Sequence, residues 1–190
     1  MKLVLLLALF TSLAGCAGLP EPRVYVLSPG SNATSMVRDN ASRMVVEVRR
    51  VLIPDHLDTT RIMLGTVGNQ IKASETGVWG ERLSSGLTQA LAAALARRVP
   101  AAVIVARPPD IRPAVQVMVE VTALRCGGGD CAMTAQWTIP RPGDATHPPR
   151  PTATAQGRFL AHGEGNEDAA AAIAIGGAVE QLAAQIATRL

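Results

Sequence analysis

Leucine recurs every fourth residue at Leu83, Leu87, Leu91 and Leu95, and Trp79 extends the series by one step. Ala90 and Ala94 lie beside that stripe, while Glu81, Arg82, Ser85, Gln89 and Arg97 fall elsewhere on the wheel. This period predicts an amphipathic helix with Thr76 as its N-cap. Arg97-Arg98-Val99-Pro100 predicts its end, because cations suit a helix C-terminus and proline cannot continue it. A second helix is predicted from near Asn166, with Glu167 and Asp168 in its first turn and Ile175, Val179, Leu182, Ile186 and Leu190 on its apolar face. Gly176-Gly177 inside it costs roughly 1 kcal/mol per glycine relative to alanine, which points to close packing against a sheet or a partner.

Elsewhere the period shortens to two. Val115 to Val121 alternates strictly between apolar and other residues, and Met133 to Ile139 is also strand-like, so residues 115–139 are predicted as a hairpin turning at Gly127-Gly128-Gly129-Asp130. Shorter strands are predicted at 24–28, 43–52, 102–106 and 152–162. Residues 61–64 and 70–74 flank a glycine-bearing turn and form a further hairpin. Ile53-Pro54 ends the second strand, because proline donates no ladder hydrogen bond and constrains the residue before it. Residues 29–42 are polar loop, 108–113 a turn, and 140–151, with five prolines, an exposed loop.

Strands, helix, strands, helix is the order of an α/β fold. Two amphipathic helices packed on a mixed β-sheet bury both stripes, with the first helix crossing over from the strand near 70–74 to that near 102–106. No internal repeat is evident.

Composition then separates a leader from the domain. The 190 residues are 48% hydrophobic and only 17% charged, too apolar for a disordered chain. Much of the excess lies in residues 1–15, where Lys2, an apolar run from Leu3 to Phe10 and a small-residue stretch have the order of a secretory signal. Leu13-Ala14-Gly15-Cys16 looks like a bacterial lipobox, in which the Cys16 thiol is alkylated by diacylglycerol and the peptide is cut before it. Several acyl chains on one residue anchor stably, since each buried methylene contributes about 0.8 kcal/mol and a single chain is marginal. Ala17 follows in place of the aspartate that marks inner-membrane retention in enterobacterial lipoproteins, so the expected site is the periplasmic face of the outer membrane. Residues 16–22 are a lipidated tether stiffened by Pro20 and Pro22, and residues 23–190 a single periplasmic domain. No run after residue 16 reaches the 18 or so apolar residues of a membrane span.

The net charge of +3 rests on scattered arginines; after the leader Lys72 is the lone lysine, and aromatics are 3%. Nucleic-acid surfaces need clustered cations and stacking platforms, so nucleic acid is not an expected partner. Cys126 and Cys131 are an even pair beside a hairpin turn, and an oxidising compartment predicts a disulfide between them. The spacing of His56, His147 and His162 provides no metal set, and no cofactor motif is present. Asp55 and Asp58 flank His56, but adjacency in sequence defines no acid/base geometry. There is no GxSxG elbow, HExxH or phosphate loop, and nothing marks an enzyme.

The mature chain resembles the ABC-type transport auxiliary lipoproteins, the PqiC-like family. The resemblance is carried by the lipobox followed by Tyr25-Val26-Leu27-Ser28-Pro29, then Val51-Leu52-Ile53-Pro54-Asp55-His56-Leu57-Asp58 with Arg61-Ile62, Asn69-Gln70-Ile71, and Trp79-Gly80-Glu81-Arg82-Leu83. Val115-Gln116-Val117 and Ala135-Gln136-Trp137 also fit; His56, where the family often has an aromatic, and the long proline loop depart from it. The resemblance implies a fold similar to the N-terminal domain of TolB. It implies a non-catalytic component of a lipid transport system, docking a periplasm-spanning Mce-domain protein to the outer membrane, with an inner-membrane permease and ATPase in the same system. Pro54, Asp55, His56, Asp58 and Arg61 are the expected partner-binding residues, because prolines and charges hold a loop at a strand end. Trp79 is expected to anchor the first helix to the sheet. A homo-oligomer is compatible with this reading. Two other readings remain: a carrier lipoprotein that binds lipid or another hydrophobe itself, and an outer-membrane assembly lipoprotein without transport partners.

Overall fold

A computed structural model describes residues 21–27, 43–108, 113–140 and 154–190. The leader, Cys16 with the start of its tether, the 29–42 loop and most of the proline loop lie outside the described residues. Two sheets share two helices. A five-stranded sheet has the order β5 (Ala102–Val105), β2 (Met44–Val48), β6 (Val115–Gly127), β7 (Asp130–Thr138) and β8 (Ala155–His162). β2 runs parallel to both neighbours, and β6, β7 and β8 are antiparallel. A three-stranded sheet has the order β1 (Arg23–Tyr25), β4 (Gln70–Trp79) and β3 (Arg61–Val67). The helices are α1 (Leu83–Arg98) and α2 (Glu167–Ala187).

The alternation explains the core. Val115, Val117, Val119 and Val121 of β6 are buried, as are Cys131, Met133, Ala135 and Trp137 of β7, so one face of the large sheet is apolar. α2 packs there through Ile175, Val179, Leu182 and Ile186, with Ala174, Ala178 and Ala183 bringing its backbone close. α2 has the length and apolarity of a membrane span, but this face makes it the core helix. At Gly177 a Cβ would stand 3.1 Å from the Ala161 Cβ on β8, whereas Gly176 faces open space, so one glycine of the pair serves close packing. α1 lies beside α2 and buries Leu83, Leu87, Leu91 and Leu95; Arg97 and Arg98 both bond Glu180 at the rim.

The expected α/β fold with two sheet-packed helices holds, but the sheet is divided. α1 crosses from β4 in the small sheet to β5 in the large one rather than between strands of one sheet. Trp79 belongs to the end of β4 and Thr76 to its interior; α1 begins four residues after Trp79, with Arg82 at the N-cap position. The four-residue leucine rhythm reached back to Trp79 because a strand's inward residue landed on the same spacing. Trp79 is nonetheless buried in the core shared with α1. At the second helix Asn166 is the N-cap and accepts from the Ala169 N–H at 2.9 Å.

The small sheet is tied to the start of α2. β4 bulges over Ser74–Gly77: its register with β3 jumps from Arg61↔Val78 to Met63↔Ala73. Ser74 Oγ accepts from the N–H groups of Thr76 at 3.2 Å and Gly77 at 2.7 Å. Against this bulge sits the buried Asp168, whose Oδ2 accepts from the Thr76 hydroxyl at 3.5 Å. A Cβ on Gly77 would lie 2.4 Å from Asp168 Cγ. Lys72 pairs with Glu167 at 3.0 Å, and the Tyr25 hydroxyl donates to Asn166 Oδ1 at 3.2 Å. Gly77→Ala is therefore expected to lower unfolding stability by about 1–3 kcal/mol, the usual cost of overpacking, in a urea titration followed by tryptophan fluorescence. An unchanged midpoint would mean that Asp168 moves aside freely.

Candidate functional site

Residues 49–60 link the two sheets. After β2 the chain stays against β6, where Leu52 N–H donates to Val119 O and Val121 N–H to Leu52 O, and then turns at Pro54. The Leu57 N–H closes the turn on Pro54 O at 2.8 Å, and Asp58 N–H bonds Asp55 O at 3.1 Å. Leu57 points into the core, while Asp55 and His56 remain exposed.

This turn, the tip of the β3–β4 hairpin and the far part of β6 enclose a cleft of about 610 Å³. Leu57, Met63, Leu64, Ile71 and Leu124 make it apolar; His56, Arg125 and the Lys72–Glu167 pair add polar groups. The hairpin approaches β6 closely: a Cβ on Gly65 would be 3.0 Å from the Cys126 carbonyl oxygen. Cys126 and Cys131, opposite each other in the β6–β7 ladder, are joined as a disulfide at the end of that wall. The cleft is open on one side, and Thr66, Thr122 and the charged groups make its lining mixed. Among the described residues no group of three or more His, Cys, Asp or Glu could hold a metal ion.

Of the sequence-chosen segment, Pro54 and His56 line the cleft. Asp55 is exposed on the same turn. Asp58 turns the other way, toward α1. Its Oδ1 accepts from the Ser84 N–H at 3.1 Å, one of the helix's free amino-terminal donors, and Arg82 has no side-chain cap of its own. Arg50 and Arg82 each lie 3.6 Å from Asp58 Oδ2. Arg61 begins β3, away from the cleft lining.

Sequence reasoning did not reach Met63, Ile71, Leu124 and Arg125. One signal was present: the inward spacing after Val121 breaks, since a bulge places Leu124 opposite Met133 and Cys126 opposite Cys131. A shallower pocket of about 360 Å³ on the large sheet gathers Leu52, Met118, Gln136 and Arg49, with Leu52 and Met118 exposed.

Residues 25–187, spanning both sheets, the cleft and both helices, match the family described as ABC-type transport auxiliary lipoprotein component. The chain belongs to this family. Its fold is similar to that of an uncharacterized protein known from a crystal structure, with a TM-score of 0.65, 19% identity, and coverage of 89% of this chain and 98% of that one. It is also similar to protein XCC0632 from Xanthomonas campestris, with a TM-score of 0.51, 13% identity, and coverage of 88% and 90%. At these identities the likeness concerns fold. No curated protein matches the sequence.

In this auxiliary lipoprotein Asp58 provides the one clear electrostatic signature. Burial by itself would raise its carboxyl pKa, but hydrogen bonds from the Ser84 N–H and hydroxyl and the charges of Arg50 and Arg82 outweigh it and hold the group below its ordinary 3.8. A depressed folded value means stability that is present above pH 3.8 and lost as pH falls through the folded value. Asp58→Ala is expected to cost about 1 kcal/mol at neutral pH, as for a lost helix cap. Asp58→Asn keeps an acceptor for Ser84 and should flatten the acid limb of a urea midpoint-versus-pH curve. An Asn variant with an unaltered acid limb would contradict this role.

Proposed function

We propose that this auxiliary lipoprotein is a non-catalytic part of a lipid transport system, anchored through acylated Cys16 at the periplasmic face of the outer membrane. It docks a periplasm-spanning Mce-domain protein, whose other end meets an inner-membrane permease and ATPase. Family membership across residues 25–187 supports the auxiliary transport role. The observation that carries the docking reading is the cleft: a turn presenting Pro54, Asp55 and His56 borders an apolar hollow at the tip of a hairpin. Apolar recesses with a polar rim receive anchoring side chains of partner proteins. Catalysis has no support in the site, which brings together no nucleophile with an oriented base.

A second reading keeps the anchor and makes the domain a carrier. The cleft's volume of about 610 Å³ and its Leu57, Met63, Leu64, Ile71 and Leu124 lining favour it. Native mass spectrometry of protein purified from membranes separates the two, since a carrier retains lipid in the cleft and a docking module does not.

In-cell crosslinking followed by affinity purification of the full-length lipoprotein tests the docking reading. Recovery of an Mce-domain protein is the expected result, and Leu124→Glu, which puts a charge into the cleft wall, should reduce that recovery by about tenfold, the effect of losing roughly 1.4 kcal/mol of binding. Crosslinked material containing no Mce-domain protein would overturn it.

A further inference from the structure

The β3–β4 hairpin has two ends with different surroundings. Its tip forms the cleft, while its base carries β1, the first described strand after the tether. Between Cys16 and Arg23 the chain extends roughly 25 Å at most, at about 3.5 Å per residue. An anchor at Cys16 therefore keeps β1 and its neighbours within a short distance of the lipid surface. This argument rests on the lipidation of Cys16 proposed above.

The surface held there is unusual in its exposed apolar residues. Val24 is 66% and Val26 57% exposed. Both flank Gly80, where a Cβ would stand 3.3 Å from Val24 and 3.1 Å from Val26, so the two valines lie over a bare stretch of backbone. Val24 pairs with Val78, and Val78 with Arg61, which places Val24, Val78 and Arg61 in one row on the same face of the small sheet. Among the described residues the guanidinium groups of Arg23 and Arg61 form no ion pair. Close by, Arg50 and Arg82 share the single carboxylate of Asp58, leaving one positive charge in excess. Glu21, Asp55, Glu75 and Glu81 are the acidic groups near this surface in sequence besides Asp58, and Glu81 bonds Gln89.

We propose that the exposed base of the small sheet, formed by Val24, Val26 and Arg61, rests directly on the phospholipid surface that holds the anchor; Arg23, paired with Gly77, points to the opposite face. The valines enter the headgroup region and Arg61 meets anionic headgroups. The domain is then oriented rather than free to tumble on its tether, and the hairpin carries the cleft away from the bilayer. Apolar side chains alone are weak on a membrane, and an arginine near an anionic surface adds about fivefold to the apposed population. Salt weakens that part within a Debye length of about 8 Å at physiological strength.

The test uses the full lipoprotein purified from membranes and reconstituted into vesicles of phosphatidylethanolamine and phosphatidylglycerol. Val24→Cys or Val26→Cys is labelled with an environment-sensitive NBD probe, with Leu160→Cys on the distant β8 strand as the reference. Acylation of Cys16 and the Cys126–Cys131 disulfide leave the introduced thiol as the reactive one. Labels at 24 and 26 are expected to shift to the blue, as probes that leave water for the headgroup region do, while the label at 160 stays as in water. Arg61→Glu, or vesicles without phosphatidylglycerol, should weaken the shift. Mass spectrometry of the amino-terminal peptide reads Cys16 acylation separately. An unmodified Cys16 overturns the anchor and this orientation together. An acylated protein whose residue 24 and 26 labels behave like that at 160 overturns the orientation alone.

Discussion

The buried side chain of Asp168, in the first turn of α2, sits where the small sheet meets the helix that covers the large one. It lies where the helix amino terminus favours negative charge, and the β4 bulge accommodates it through a glycine with no room for a side chain. Its Oδ1 is buried without a hydrogen-bond partner among the described residues, so the position carries a desolvation cost that the helix terminus and Thr76 offset. Lys72 to Glu167 and Tyr25 to Asn166 add exposed contacts around the same turn, each contributing little by itself. The large sheet and both helices form a core by ordinary burial. The small sheet, whose β1 has only three residues, buries Ile62, Leu64 and Trp79 in the shared core beside this joint.

From that joint follows the hairpin's reach across to β6. Were β4 unbulged, its register would remain continuous from Val78 to Ala73 and the hairpin tip would meet β6 differently. The cleft is thus a consequence of sheet docking, and its polar edge uses one of the docking contacts, the Lys72–Glu167 pair. The same geometry separates tasks along one hairpin: the base faces the anchor and the tip faces a partner in the proposed reading. Asp58 serves neither end directly. By capping α1 from the linker it holds the turn that presents His56 to the cleft.

Residues with a strong period were legible from the sequence. The leucine stripe of α1, the Asn166 cap and apolar face of α2, and the alternation of β6 and β7 each follow from local spacing, and they define the core. The division into two sheets was not legible, because β-pairing partners are set by contacts distant in sequence: β1 pairs with β4 and β2 with β5 and β6. Trp79 was misplaced because one inward strand residue matched a helical interval. The Pro54–Arg61 segment was chosen for its prolines and charges; the fold sends Pro54 and His56 to the cleft, Asp58 to a helix terminus and Arg61 to the sheet base. Which way each side chain turns depends on α1 and β6, neither of which is near in the chain.

In the proposed docking, the hairpin tip and the linker turn form the surface a partner meets. Site-specific photo-crosslinking in cells tests it most directly, with the reactive group placed at Ile71 in the cleft and, separately, at Leu160 on the outer strand β8. Docking there gives an adduct with an Mce-domain protein from Ile71 and none from Leu160. An adduct from Leu160 with Ile71 silent would contradict it.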